Sequence, residues 1–217
     1  MDELEIRKAV LATAQRMLEA GLVVGTWGNV SARLDGARMV ITPSGMDYLS
    51  LEPDDMVVVD IETLAVKGRR RPSTETPMHA AIYSARPEVG AIVHTHSSYV
   101  TAVAAARREI PPLLDELVQV TGGSVRVAEY AFPGSWELAR AVVGALEGRT
   151  AVVLANHGGV CVGRTLDEAI RTAMVLEKSA MAFVCSHIIG GPCLLASEHV
   201  AELRRMFLES YGQHSGK

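Results

Sequence analysis

The run Ala91-Ile92-Val93-His94-Thr95-His96 limits what this chain can become: an apolar stretch of strand length that ends in two histidines one residue apart. Side chains two apart on a strand share a face, so His94 and His96 project together from the end of a buried strand. That is half of a metal site, because imidazole is the commonest protein ligand for zinc-like ions and a catalytic site usually takes three protein ligands. A third histidine, His157, follows another apolar run, Thr150 to Ala155, within Asn156-His157-Gly158-Gly159. A core histidine pair would give the strand no reason to end there. His187, His199 and His214 have no partner at ligand spacing and receive no role.

Three loops share a second chemistry. Gly25-Thr26-Trp27-Gly28-Asn29-Val30-Ser31 reads as a glycine-rich turn, Met39 to Thr42 as a strand running into Pro43-Ser44-Gly45, and Pro72-Ser73-Thr74-Glu75-Thr76-Pro77 as a third turn. Each sets Ser, Thr or Asn beside backbone that can approach closely, a lining that holds phosphate by neutral donors. Glu75 stands at the entrance of a helix begun by Thr76-Pro77 and running to about Arg86. Its plain reading is a solvated carboxylate favouring the helix dipole; its functional one is an acid/base beside the metal. His79, four residues on, reads as a packed histidine before it reads as a ligand.

The remaining pattern is a helix over 2–20, a hairpin at 56–60 and 64–66, a helix from Ser97 to about Arg108, a strand over 125–130, a helix over 136–146, a short strand over 160–163, and helices over 166–189 and 197–211. With 217 residues and no linker, one domain over 1–217 with a flexible tail from about 212 is expected. A net charge of -4 and a single short basic run, Arg69-Arg70-Arg71, argue against a nucleic-acid partner. No apolar run approaches bilayer-spanning length and the first residues are acidic, so no membrane partner and a cytoplasmic location are expected. Cys161, Cys185 and Cys193 are read as reduced core thiols. A lysine Schiff base is disfavoured, since none of Lys8, Lys67, Lys178 and Lys217 lies on a buried strand. Serine hydrolysis lacks its nucleophile elbow.

Taken together, Gly25 to Ser31, Ile41-Thr42-Pro43-Ser44-Gly45, Ser73-Thr74-Glu75, Val93-His94-Thr95-His96 and Asn156-His157-Gly158 resemble, in order and spacing, the class II aldolase/adducin family, L-fuculose-1-phosphate aldolase branch. The resemblance spans nearly the whole chain. It implies an α/β fold, a three-layer α/β/α sandwich around a mainly antiparallel sheet, in a homotetramer of fourfold symmetry with sites at subunit interfaces. It makes His94, His96 and His157 metal ligands, with Glu75 an acid/base that can also bind the resting metal. Thr26, Gly28, Asn29, Ser44, Gly45, Ser73 and Thr74 fall on phosphate-binding loops. The implied reaction is reversible cleavage of a small ketose 1-phosphate to dihydroxyacetone phosphate and an aldehyde, with Zn2+, or Mn2+ in some members, holding the enediolate.

One position departs from the pattern. The aldolase branch donates a tyrosine from a neighbouring subunit a few residues before a Gly-Gly, and here Asp115 or Glu116 stands in that place before Gly122-Gly123. The ribulose-phosphate epimerase branch uses an aspartate in that region, so a pentulose-phosphate 4-epimerase is the first alternative. A decarboxylase of a phosphorylated 3-oxo acid and an adducin-like assembly module are the others. Tyr211 matches a tyrosine of the aldolase branch's C-terminal tail that covers the neighbouring site.

Overall fold

The computed structural model describes residues 2–210. Tyr211 and the tail from 212 lie outside the described residues. Eight strands form one sheet: β1 (Gly28–Arg33), β2 (Arg38–Ile41), β3 (Val57–Asp60), β4 (Val66–Lys67), β5 (Ala91–Thr95), β6 (Val127–Ala128), β7 (Ala151–Leu154) and β8 (Gly158–Gly163), in the order β4-β3-β2-β1-β5-β8-β7-β6. Every pairing is antiparallel except β6 with β7. β5, which carries the histidine pair, is central and pairs with β1 and β8.

Strand alternation sorts the side chains into two cores. Val30, Val40, Val58, Ala91, Val93, Val153 and Cys161 face one way, against helices α1 (Glu3–Glu19), α3 (Ser98–Ala105), α4 (Asp115–Thr121) and α6 (Leu166–Ser186). Met39, Ile41, Val57, Val59, Ile92, Leu154 and Val160 face the other way, against α2 (Thr76–Ala85) and α5 (Trp136–Ala145). This is the expected three-layer sandwich. A last helix, α7 (Ser197–Ser210), buries no residue and lies against α4.

Local signals account for the helix starts. Asp2 and Glu5 form a reciprocal capping box on α1, and the Ser135 and Thr165 side chains cap α5 and α6.

Several expectations need correction. The segment read as a turn up to Ser31 becomes β1 from Gly28, because main-chain pairing with Thr95 and His94 outweighs its turn-like composition. Residues 115–121 are helical. The strand read over 125–130 shrinks to Val127–Ala128, while Val125 makes an isolated bridge to Ile110. α3 stops at Ala105 and the chain turns at Arg107, whose φ is 49°. Cys161 is a buried thiol, but Cys185 and Cys193 are exposed. Leu166–Ile189, 24 residues with a mean hydropathy of 1.3, does reach bilayer-spanning length. Its Ala169, Ile170, Ala173, Leu176, Ala180 and Phe183 are core residues packed on the sheet and α3, which accounts for that apolarity.

Candidate active site

His94 has the same strand parity as Ile92, so it points to the α2 side of the sheet and sits opposite Asn29 of β1. His96 lies just past the end of β5, and His157 closes the turn between β7 and β8. The three ring centroids stand 4.8, 4.9 and 4.8 Å apart in near-perpendicular pairs. One ligand atom from each lies within 4.8 Å of the others, and His94 Nε2 is 2.9 Å from His96 Nε2. Two nitrogens on one tetrahedral zinc lie about 3.3 Å apart for a Zn–N bond of roughly 2.0–2.1 Å, so this cluster has the size of a metal site.

Protonation agrees with that reading. His94 Nδ1 lies 3.0 Å from the Gly159 carbonyl, which can only accept, so Nδ1 carries the proton and Nε2 presents its lone pair to the other rings. Burial, then the neighbouring His96 and His157, hold His94 far below the usual imidazole range. Burial also lowers His96, and burial followed by His96 lowers His157 to about 4. Three neutral imidazoles with converging nitrogens fit a divalent cation.

Two glycines make the convergence possible. A Cβ on Gly158 would lie 2.2 Å from the Thr95 carbonyl and 3.2 Å from the His96 ring, so only glycine lets β8 start this close. At Gly28, φ is +135° and a Cβ would meet the His94 carbonyl at 2.8 Å.

A cavity of about 360 Å³ opens over the histidines, and all seven phosphate-loop candidates line it: Thr26, Gly28, Asn29, Ser44, Gly45, Ser73 and Thr74. Glu75 and the three histidines line it too. The loops are held by backbone: Ser44 N–H donates to the Arg71 carbonyl, Ser73 N–H to the Thr42 carbonyl, and Pro43 bridges Pro72. Among the described residues no Lys or Arg lines this cavity, so an anion would meet hydroxyls and backbone N–H groups. Among the same residues Asn29 Oδ1, an acceptor, is buried there without a partner, and a hydroxyl of a ligand would satisfy it.

Glu75 is not solvated. It is 4% exposed, caps α2 through its backbone rather than its side chain, and leaves Oε2 without a partner among the described residues. Burial raises its pKa to about 7 against the opposing backbone N–H of Gly134. A carboxyl at that value can both give and take a proton near neutrality. It stands apart from the tight cluster of three histidine nitrogens. His79 is a packed residue, fully buried, with Nδ1 2.7 Å from Ser31 Oγ.

Asp115 and Glu116 do not reach this cavity within the chain. Asp115 lines a second cavity with Leu195, His199 and Met206, and Glu116 pairs with Lys178 at 2.5 Å. Tyr211 lies outside the described residues. Sequence reasoning passed over four lining residues: Trp27, Pro43, Asn156 and Pro133. Trp27 and Asn156 sit inside the quoted motifs. Pro133, on the connection between β6 and α5, is brought in by the fold alone.

Comparison with known proteins agrees with this geometry. The family described as "Class II Aldolase and Adducin N-terminal domain" matches residues 8–184. The chain is 36% identical over 210 residues, 97% of its length and 94% of the relative's, to a 5-methylthioribulose-1-phosphate/5-deoxyribulose-1-phosphate aldolase of Rhodospirillum rubrum. It is 38% identical over 185 residues, 79% of its length and 81% of the relative's, to an L-ribulose-5-phosphate 4-epimerase of Salmonella typhi. A solved L-fuculose 1-phosphate aldolase superposes with a TM-score of 0.90 at 35% identity, covering 94% of this chain and 96% of that one. Shared sequence along nearly the whole length and a shared sheet establish that the chain belongs to the class II aldolase and adducin family, in its L-fuculose phosphate aldolase-like branch.

Proposed function

We propose that the protein is a zinc-dependent aldolase that reversibly cleaves a small ketose 1-phosphate to dihydroxyacetone phosphate and an aldehyde. The observation that carries this reading is the convergence of three hydroxyl-bearing loops, a buried carboxyl and three neutral imidazoles on one cavity. His94, His96 and His157 would hold the ion, which when bound supplies Lewis acidity toward the substrate's carbonyl and hydroxyl oxygens. The chain's own residues do the rest. Thr26, Asn29, Ser44, Ser73 and Thr74 hold the phosphate, which fixes the sugar's orientation over the histidines. Glu75, buried and poised near neutrality, moves the proton at the carbon that becomes the nucleophile in the aldol direction. Retro-aldol cleavage also needs a base for the hydroxyl on the far side of the breaking bond. Asp115 and Glu116 can take part only from a neighbouring copy, which suits a homotetramer with sites shared between subunits.

Trp27, 67% exposed, lines the cavity, and Phe132, 76% exposed, directly precedes the lining residue Pro133, so the aldehyde half would sit here or a second copy would cover it. The test is product analysis with 5-deoxyribulose, 5-methylthioribulose and L-fuculose 1-phosphates, with metal content measured on the same sample. Dihydroxyacetone phosphate is expected. If an isomeric pentulose phosphate or carbon dioxide appeared instead, the epimerase or decarboxylase reading would replace this one.

A further inference from the structure

The N-terminus of α3 is capped from another helix. Ser97 occupies the cap position with extended backbone angles, yet its hydroxyl makes no capping bond and lies buried without a partner among the described residues. The carboxylate of Glu177, on α6, accepts instead from Tyr99 N–H at 3.0 Å and Val100 N–H at 2.9 Å. These are free donors of the helix's first turn, and a carboxylate there also meets the positive end of the helix dipole. No cation pairs with Glu177 among the described residues; the next residue, Lys178, is taken by Glu116. A serine already in place could cap the helix locally. The Glu177 bonds do something more, which is to tie α3 to α6.

That tie lies beside the histidines. α3 begins two residues after His96. Val100, clamped by Glu177, and Leu176, its neighbour on α6, are the side chains that a Cβ on Gly159 would touch, at 2.9 and 3.2 Å. Gly159 in turn offers the carbonyl that holds His94 Nδ1. The exit of His96 and the acceptor of His94 therefore rest on one junction of α3, α6 and β8.

We propose that Glu177 is a positioning residue for the metal-binding histidines, holding the α3–α6 junction that sets His94 and His96 in register. The inference rests on the reading of the histidine cluster as a metal site. Groups that hydrogen-bond a ligand directly, as the Gly159 carbonyl does His94, typically change metal affinity by about 10- to 100-fold, and Glu177 acts one contact further out, so the low end of that range is expected. The full-length protein, stripped of metal, is titrated with Co2+ alone. Glu177→Ala is expected to bind Co2+ about tenfold more weakly, with a changed visible spectrum and lost exchange protection at the Tyr99 and Val100 amides. Glu177→Gln keeps one acceptor oxygen and the side chain's shape, so it is expected to fall between Glu177→Ala and the parent. Should Glu177→Ala not fold, Glu177→Gln carries the test, with weaker Co2+ binding expected. Parent-like Co2+ affinity and spectrum, with only a lower melting temperature, would overturn the proposal and leave Glu177 a plain helix cap. His94→Ala run alongside separates the two readings, because Co2+ binding retained there would sink the metal site itself.

Discussion

Each residue of the site is held by a different physical device, and each device predicts its own failure. His157 offers a nitrogen to the cluster, so His157→Ala should leave the sheet intact and lower the content of divalent metal, measured by elemental analysis of the purified protein. Glu75→Gln keeps shape while removing the titratable carboxyl; if Glu75 is the proposed acid/base, the variant should keep its divalent metal while kcat falls by about 10²- to 10⁴-fold. Ser44→Ala and Ser73→Ala each delete a hydroxyl lining the cavity, and a hydroxyl donating to the proposed phosphate would be worth about 1.5–3 kcal/mol. Such a loss should appear in KM, and kcat measured alongside should change little. Identity at this scale was largely legible, because His-x-His on an apolar run and hydroxyls beside glycines are local patterns. Environment was not. Nothing in the order of letters separates a solvated Glu75 from one that is 4% exposed, since the groups that bury it arrive from other strands and from the Gly134 connection.

At the scale of elements, strong periodicity survived and competition between neighbours did not. α1, α5 and α6 lie where their patterns place them because capping side chains and apolar stripes agree, and α2 does so on its first-turn Pro77 and apolar positions, its cap residue Glu75 making no side-chain bond. β1 was hidden in a stretch whose Gly, Asn and Ser read as a turn, and only pairing with β5 reveals it as a strand. The corner before β3 makes its own prediction. Asp55 there accepts from Glu52 N–H at 3.0 Å, and from Arg70 and Arg69 at 2.8 Å each. The Glu52 N–H first, then the two guanidiniums, lower its pKa from 3.8 to about 2. A folded-state pKa below the unfolded one adds stability above pH 3.8 that disappears as pH falls toward about 2. Because both arginines are partly exposed, the contribution is about 1–2 kcal/mol after screening. Urea unfolding of the parent and Asp55→Asn should differ by that amount near neutral pH and converge near pH 2.

For the whole molecule, the sheet order matters more than any single contact. Antiparallel pairing places β5 between β1 and β8, with three strands beyond β1 and two beyond β8. A ligand that binds only the folded state raises its stability, so if the histidine cluster holds a divalent metal, removing it with a chelator should lower the melting temperature and readdition should restore it. Assembly has a sharper test. If Glu116 serves a neighbouring copy, mixing inactive His94→Ala and Glu116→Gln proteins under subunit exchange should regain part of the activity; no regain would confine Glu116 to its Lys178 pair. The central place of β5 also bears on how such a protein can change. His94 stands on a fully buried strand in the middle of the sheet, whereas Trp27 and Pro133, which line the cavity, and Phe132 beside Pro133 belong to connections between elements. The floor of the site opens only when the molecule unfolds, and the rim can be rewritten one loop at a time. A lineage built this way can exchange one aldehyde for another while the metal-binding floor stays as it is.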